Sequence, residues 1–188
     1  MRYLLGVIAV AALPLLNGCA AVAVGGAAAG GYLVGEDRRA AQTMAQDQAI
    51  EFRAKNLIVE RHPNANVNIT SYNHLVLLTG QAPDAASRAA IEKIVQGLER
   101  VRGIYNEIQV APVSSFSARA SDSYVTSKVK ARFLDARRFN PIHVKVVSES
   151  GTVYLMGLVK PAEANAATEL ARTTSGVQRV VRLLEIQE

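Results

Sequence analysis

Cysteine is almost absent from the 188 residues, and Cys19 is the only one. A lone thiol can form no intramolecular disulfide. It also removes cysteine-clustered metal sites and dithiol redox chemistry, both of which need partners. Tryptophan is missing and aromatic residues make up 5% of the chain. The few rings are not interleaved with basic residues, as a stacking platform for single-stranded nucleic acid requires. Three histidines occur, His62, His74 and His143. They fall at an expected helix end, a hairpin turn and a strand start, with no H-E-x-x-H spacing and no paired carboxylates beside them. No G-x-S-x-G turn is present either. These absences point away from an enzyme, and no cofactor or metal is expected.

What is present begins at the N-terminus. Arg2 is followed by an apolar stretch from Tyr3 to Leu16, then Asn17, Gly18 and Cys19. One early positive charge, a short apolar segment and a small residue before a cut give the three-part layout of a secretory signal. The strongly apolar run is shorter than the ~20 residues a bilayer crossing needs. The order Leu16-Asn17-Gly18-Cys19 resembles the lipobox of bacterial lipoproteins, departing from it at Asn17. That resemblance implies a signal peptide over 1–18, acyl chains on Cys19 and, with Ala20 next, sorting to the outer membrane. Two buried acyl chains anchor a protein stably, each methylene contributing about 0.8 kcal/mol. Residues 20–35 are mostly Ala and Gly and carry no charge, so 19–42 reads as the lipidated cysteine and a flexible tether. Removal of 1–18 leaves 170 residues, room for two small domains.

The remainder says the same thing twice. In the first copy, Ile50, Ala54, Leu57, Ile58 and Arg61 share one helical face after Asp47, and Asn64 to Asn66 break the helix. Val67 and Ile69, a turn at Tyr72 to His74, then Val76, Leu78 and Gly80 predict a hairpin. Pro83 and Asp84 open a second helix with Ile91, Ile94, Val95 and Leu98 as its apolar stripe. Val101, Ile104, Ile108 and Val110 predict a closing strand. In the second copy Asp122 precedes a helix with Val125, Val129, Phe133 and Ala136 on one face. A hairpin follows, turning at Glu149 to Gly151. Pro161 opens the next helix, and Val177, Val180, Leu184 and Ile186 finish the unit. The offsets are 75 at Asp47/Asp122, 77 at Gly80/Gly157 and 76 at Val101/Val177. The differences fall where loops absorb them. The fold class is therefore α+β, two tandem modules over 43–112 and 122–188 joined by a linker at 113–121.

The order helix, hairpin, helix, strand resembles the BON domain, an αββαβ module seen in pairs in envelope proteins of Gram-negative bacteria. The segments that carry the likeness are Val76-Leu77-Leu78-Thr79-Gly80, the run Val101 to Ile108, Val153 to Val159, and Ser175-Gly176-Val177-Gln178-Arg179-Val180. Arg100 stands where the family has a glycine, while Gly176 keeps it. With Cys19 and the tether, the chain resembles the dual-BON outer-membrane lipoproteins of the DolP group, with the soluble OsmY type more distant. The resemblance implies binding of phospholipid membranes, a periplasmic location on the outer membrane and a part in envelope integrity.

Charge distinguishes the modules. Residues 43–112 carry seven Lys/Arg and seven Asp/Glu, whereas 113–188 carry eleven against seven. Five of the eleven, Lys128, Lys130, Arg132, Arg137 and Arg138, crowd the helix expected over 122–138. Asymmetry of this kind marks a surface for anionic partners. The face opposite Val125 and Val129 holds Tyr124, Ser127, Lys128, Ala131, Leu134, Asp135 and Arg138, an aromatic ring and a leucine among cations. Cations near an anionic bilayer contribute about 1 kcal/mol each, and rings favour the headgroup level. The expected contacts with phosphatidylglycerol or cardiolipin are Tyr124, Ser127, Lys128, Ala131, Leu134 and Arg138. Export removes nucleic acid as a partner, although phosphate attraction alone would allow it. Two other readings stay open: Tyr124 and Leu134 buried against the neighbouring module, and a scaffold that docks on envelope proteins through Tyr72, His74, Tyr105 or Asn106 at a sheet edge. Small modules bury little surface, so the linker is expected to let them dock, with Phe116 partly buried.

Overall fold

A short polar side chain repeated at one place in each copy explains how the hairpins are held. Asp47 lies in the first helix, α1 (Ala41–Arg61), and is buried. Its carboxylate accepts the backbone N–H groups of Asn73 and His74, each at 2.8 Å, and the Ser71 hydroxyl at 2.7 Å. Asn73 and His74 both adopt left-handed φ, 51° and 65°, the two-residue turn whose twist matches the strands it joins. Asp122 does the same in the second copy, accepting from Ser150 N–H at 2.9 Å and Gly151 N–H at 3.1 Å. Each carboxylate satisfies turn donors that would otherwise face the helix unpaired.

The computed structural model describes residues 37–188, of which Arg38–Glu188 form one compact unit. The expected signal peptide over 1–18, Cys19 and the expected tether as far as residue 36 lie outside the described residues. After α1 come β1 (Asn66–Tyr72), β2 (Leu75–Ala82), α2 (Ala85–Gln96), β3 (Gly103–Asn106) and β4 (Gln109–Val110). The second module runs α3 (Phe116–Ala136), a short 3-10 helix (Pro141–His143), β5 (Val144–Glu149), β6 (Thr152–Val159), α4 (Pro161–Arg172) and β7 (Arg179–Ile186). In each module an antiparallel hairpin gains a parallel third strand on its second member, giving the orders β1-β2-β3 and β5-β6-β7. The last strand of module 1 is not continuous as expected. Glu107 N–H still bonds Leu78 C=O at 2.9 Å, but Ile108 turns into the core, its N–H held by Asn106 Oδ1 at 3.2 Å, and pairing resumes only at Gln109.

Gly80 and Gly157 mark the places where strands cross most closely. A Cβ on Gly80, which has φ +108°, would stand 2.1 Å from the Asn66 carbonyl oxygen, and one on Gly157 would stand 2.2 Å from that of His143. Neither position tolerates a side chain without moving backbone.

Two helices cover one face of each sheet, and the other face meets the other module. Val76 and Leu78 pack on α1 and α2, while Val153 and Leu155 pack on α3 and α4. The alternate residues form a third cluster between the modules, with Tyr72 and Leu77 from the first against Tyr154, Met156, Leu158 and Leu183 from the second. A polar rim surrounds it. Glu149 accepts from Gln81 at 2.8 Å and Asn68 at 3.2 Å, Lys145 pairs with Glu51 at 2.9 Å, and Arg102 pairs with Glu185 at 2.7 Å. An apolar centre with a hydrated polar border is the usual anatomy of a specific interface.

The chain enters this body through a pair of arginines that hold both modules. Arg38 donates to both carboxylate oxygens of Glu163 at 2.6 and 2.8 Å and to the Leu158 carbonyl at 2.9 Å, all in module 2. Arg39 pairs with Asp47 at 3.0 Å and lies 3.8 Å from the centre of the Tyr72 ring, both in module 1. The hydrogen bond from Arg38 holds the Glu163 carboxyl below the usual carboxylate range and raises the Arg38 guanidinium above its own.

Candidate lipid interface

Helix α3 begins six residues before the expected start. Ser115 caps it, its hydroxyl accepting from Ala118 N–H at 3.2 Å, which satisfies one of the donors a helix start leaves open. Nothing from Phe116 to Ala136 interrupts it: the stretch holds no proline or glycine, and Arg137 ends it in the left-handed conformation, φ 49°. The early start corrects two expectations. The linker at 113–121 shrinks to the residues before Ser115, and Phe116 is 80% exposed rather than partly buried. Residues 116–121, the first turns, are all exposed.

Val125, Val129 and Phe133 fix the buried side of α3. On the opposite side, at 100° per residue, Phe116, Tyr124, Ser127, Ala131 and Leu134 fall within about 80° of arc, and Arg138 lies beyond the end of the helix. Tyr124 is 64% and Leu134 62% exposed, so neither is buried against the neighbouring module. From Phe116 to Leu134 the stripe runs about 27 Å along the axis at 1.5 Å per residue.

The cations around the stripe divide into two groups. Lys128 donates to the Ser175 carbonyl and lies 4.8 Å from the Tyr124 ring centre. Arg132 holds the Leu170 carbonyl at 2.9 Å and the Thr174 hydroxyl at 3.0 Å, closing the C-terminal end of α4, where helix carbonyls lack internal partners. Arg138 pairs with Glu169 at 2.9 Å with both side chains half exposed, a contact worth at most ~1 kcal/mol in water. Lys130 and Arg137 are exposed and have no side-chain partner among the described residues. Thus Lys128 and Arg138, expected as lipid contacts, already have protein partners, and Lys130 and Arg137 are the uncommitted charges. Ser127 spends its hydroxyl on the Ser123 carbonyl at 3.0 Å, and Ala131 supplies a small flat step. Phe116 was missed because the sequence around it has no helical apolar period, although a serine at 115 followed by an uninterrupted run was a readable start signal.

The residues of the sheet-edge reading do not form a site. Tyr72 is buried between the modules, His74 Nε2 meets Gln46 Oε1 at 2.9 Å in the turn, and Asn106 is bonded to Glu92 at 2.8 Å. Tyr105 alone is exposed. Among the described residues no three His, Cys, Asp or Glu side chains gather as a metal site, and no helix is long and apolar enough to cross a membrane.

The BON domain model matches twice, over residues 46–112 and 121–188. The chain belongs to the BON-domain family. Three relatives align with most of the chain. Outer membrane lipoprotein DolP of Haemophilus influenzae is 35% identical over 173 residues, 90% of this chain and 89% of the relative. The 21 kDa hemolysin of Actinobacillus pleuropneumoniae is 35% identical over 79% of this chain and 78% of its own. Osmotically-inducible protein Y of Escherichia coli is 29% identical over 71% and 69%. The BON assignment accounts for the repeated αββαβ order, and Arg100 keeps the backbone conformation of its counterpart in the second module. It takes the left-handed φ, 70°, that Gly176 takes at 96° in the second module.

Proposed function

We propose that this BON protein is a non-catalytic lipoprotein, anchored by acyl chains on Cys19 to the periplasmic face of the outer membrane, whose helix α3 lies on anionic phospholipid. Its role is to support envelope integrity. The observation that carries the reading is the exposed stripe Phe116, Tyr124 and Leu134 on a helix bordered by Lys130, Arg137 and Arg138. Large apolar side chains exposed singly need no explanation, but three in line on one cation-flanked helix match the composition of an interfacial helix. The similarity to a protein named as an outer membrane lipoprotein supports the location. Phosphatidylglycerol and cardiolipin supply the anionic surface, with the uncommitted cations attracting headgroup phosphates and the rings entering at their level.

The test is flotation of the fragment 36–188, which lacks Cys19, on phosphatidylglycerol and phosphatidylcholine liposomes at low and high salt. Selective, salt-weakened binding to phosphatidylglycerol is expected. Neutralising Lys130 and Arg137 together (Lys130→Gln, Arg137→Gln) removes about 2 kcal/mol of surface attraction, roughly a 30-fold loss in partitioning. Absence of binding to either liposome would refute the α3 mechanism. One observation favours a second reading, a scaffold for envelope proteins: Phe52 and Val59 are exposed on the outer side of α1, beside the free edge of β1. That reading requires protein in the assay, and pure liposomes separate the two.

A further inference from the structure

The two modules share their helix order and hairpin register but differ in the groove between the first helix and the turn before the last strand. In module 2 the groove is closed by the protein itself. Lys128 crosses it to the Ser175 carbonyl, Arg132 spans to Leu170 and Thr174, and Gly176 turns the chain without a side chain. In module 1 the position 75 residues before Lys128 is Arg53, the position before Arg132 is Leu57, and Arg100 stands 76 residues before Gly176. Arg53 makes no bond across the groove. A concavity of about 260 Å³ remains open there, lined by Gln46, Ile50, Arg53, Leu98, Glu99 and Arg100.

Arg100 is the second observation. It holds φ 70°, a conformation disfavoured for an L-residue with a side chain and almost free for glycine. Backbone strain of this kind clusters at active sites and ligand clamps. No protein group accounts for it, because neither Arg53 nor Arg100 has an intramolecular hydrogen-bond or ion-pair partner among the described residues. Arg53 and Arg100 therefore line one concavity together with the apolar residues Ile50 and Leu98. Gln46 Oε1 accepts from His74 Nε2–H, leaving the Gln46 amide N–H groups as further donors.

We infer that module 1 carries its own anion-binding site, in which Arg53 and Arg100 together take a singly charged phosphodiester group. Guanidinium forks match phosphate oxygens in geometry as well as charge. Glu99 on the rim brings the local charge to one positive unit, which suits a phosphodiester monoanion over a phosphate dianion. The site is separate from α3 and does not depend on the reading given to that helix.

The test is arginine side-chain NMR (Nε–Hε) on the full-length chain in dodecylmaltoside micelles, titrated with dimethyl phosphate, glycerophosphoglycerol and, as a control at equal ionic strength, sodium chloride. Both diesters are expected to shift Arg53 and Arg100 saturably, with half-saturation on the order of millimolar for a small ligand held by a few charged hydrogen bonds. Tighter binding of glycerophosphoglycerol would identify a lipid headgroup as the source, and equal binding would identify the diester itself in soluble form. R53Q and R100G should each weaken binding about 10-fold, with K128Q unchanged. R100G also serves as the folding control, since glycine relaxes that turn. Unsaturating shifts, or shifts that chloride reproduces, would overturn the site and leave the α3 interface untouched.

Discussion

Replacing Arg38 with glutamine tests whether the clasp at the entry to the body holds the two modules together. Arg38 makes two charged contacts with Glu163, at 2.6 and 2.8 Å, and one with the Leu158 carbonyl at 2.9 Å, and the two side chains are 20% and 16% exposed. A fully exposed pair would contribute under 1 kcal/mol, and a charged hydrogen bond shielded from water about 1.5–3 kcal/mol. Glu163 keeps one partner in the variant, the Lys160 N–H at 2.7 Å, so no charge is orphaned. The expected loss is about 2 kcal/mol at pH 7, a factor of roughly 30 in the folded-to-unfolded ratio.

The pH dependence has a definite sign. Glu163 is held below its ordinary range, chiefly by the hydrogen bond from Arg38. Its folded pKa is lower than its unfolded value of about 4.3. The stabilisation is therefore complete above that value and is lost as pH falls through the folded pKa. Arg38, raised by the same contact, stays charged throughout and adds no slope. Urea unfolding followed by circular dichroism, the chain having no tryptophan, should show a difference between wild type and Arg38→Gln of about 2 kcal/mol at pH 7 that shrinks as pH falls below the unfolded carboxylate value. A difference unchanged by that fall in pH, or one below about 0.5 kcal/mol at neutrality, would refute the clasp.

Two further substitutions probe the fold. Gly80→Ala should destabilise by more than about 3 kcal/mol, because the new Cβ meets the Asn66 carbonyl at a φ that disfavours it. Gly97→Ala, where the nearest atoms stand at 3.6 Å, should be nearly neutral in the same melt. Tyr154→Ala empties the centre of the inter-module cluster. A buried aromatic truncation costs about 3–5 kcal/mol, so the thermal midpoint should fall by roughly 10 °C, and a fall under about 3 °C would show that the two sheet faces are not one cooperative core.

Much of the fold was legible because its signals are local. Asp47 and Asp122, Gly80 and Gly157, and the helical stripes of α1 and α3 each announce an element within a few residues. The inter-module packing had a signal that was only half used. Leu75 to Leu78 and Val153 to Val159 are apolar runs broken only at Gly157, and strands covered on both faces read as unbroken apolar runs. An alternating reading assigned Val76 and Leu78 to the core and left Leu77 without a place. The start of α3 was hidden because its first six residues are all exposed and so carry no apolar period to detect. The division of the α3 cations into committed and free depends on partners some 30 to 50 residues away, such as Ser175 for Lys128 and Glu169 for Arg138. Sequence spacing carries no trace of such pairs. For the same reason composition ranked Lys128 equal to Lys130, whereas the fold makes one a brace and the other a free charge.

The face-to-face sheets make each module the missing layer of the other. Cut apart, module 1 would present Tyr72 and Leu77 to water, and module 2 would present Tyr154, Met156 and Leu183. Half of the chain is thus not a simpler version of the whole but a sticky sheet in search of a second copy. Only residues 111–114 separate β4 from the cap of α3, and a link that short holds the two faces at a high effective concentration. The tandem behaves as a dimer whose partner can never diffuse away. Deleting a module to find which one carries an activity would then measure the loss of a cover as much as the loss of a site, and point substitutions on the outer faces are the cleaner dissection.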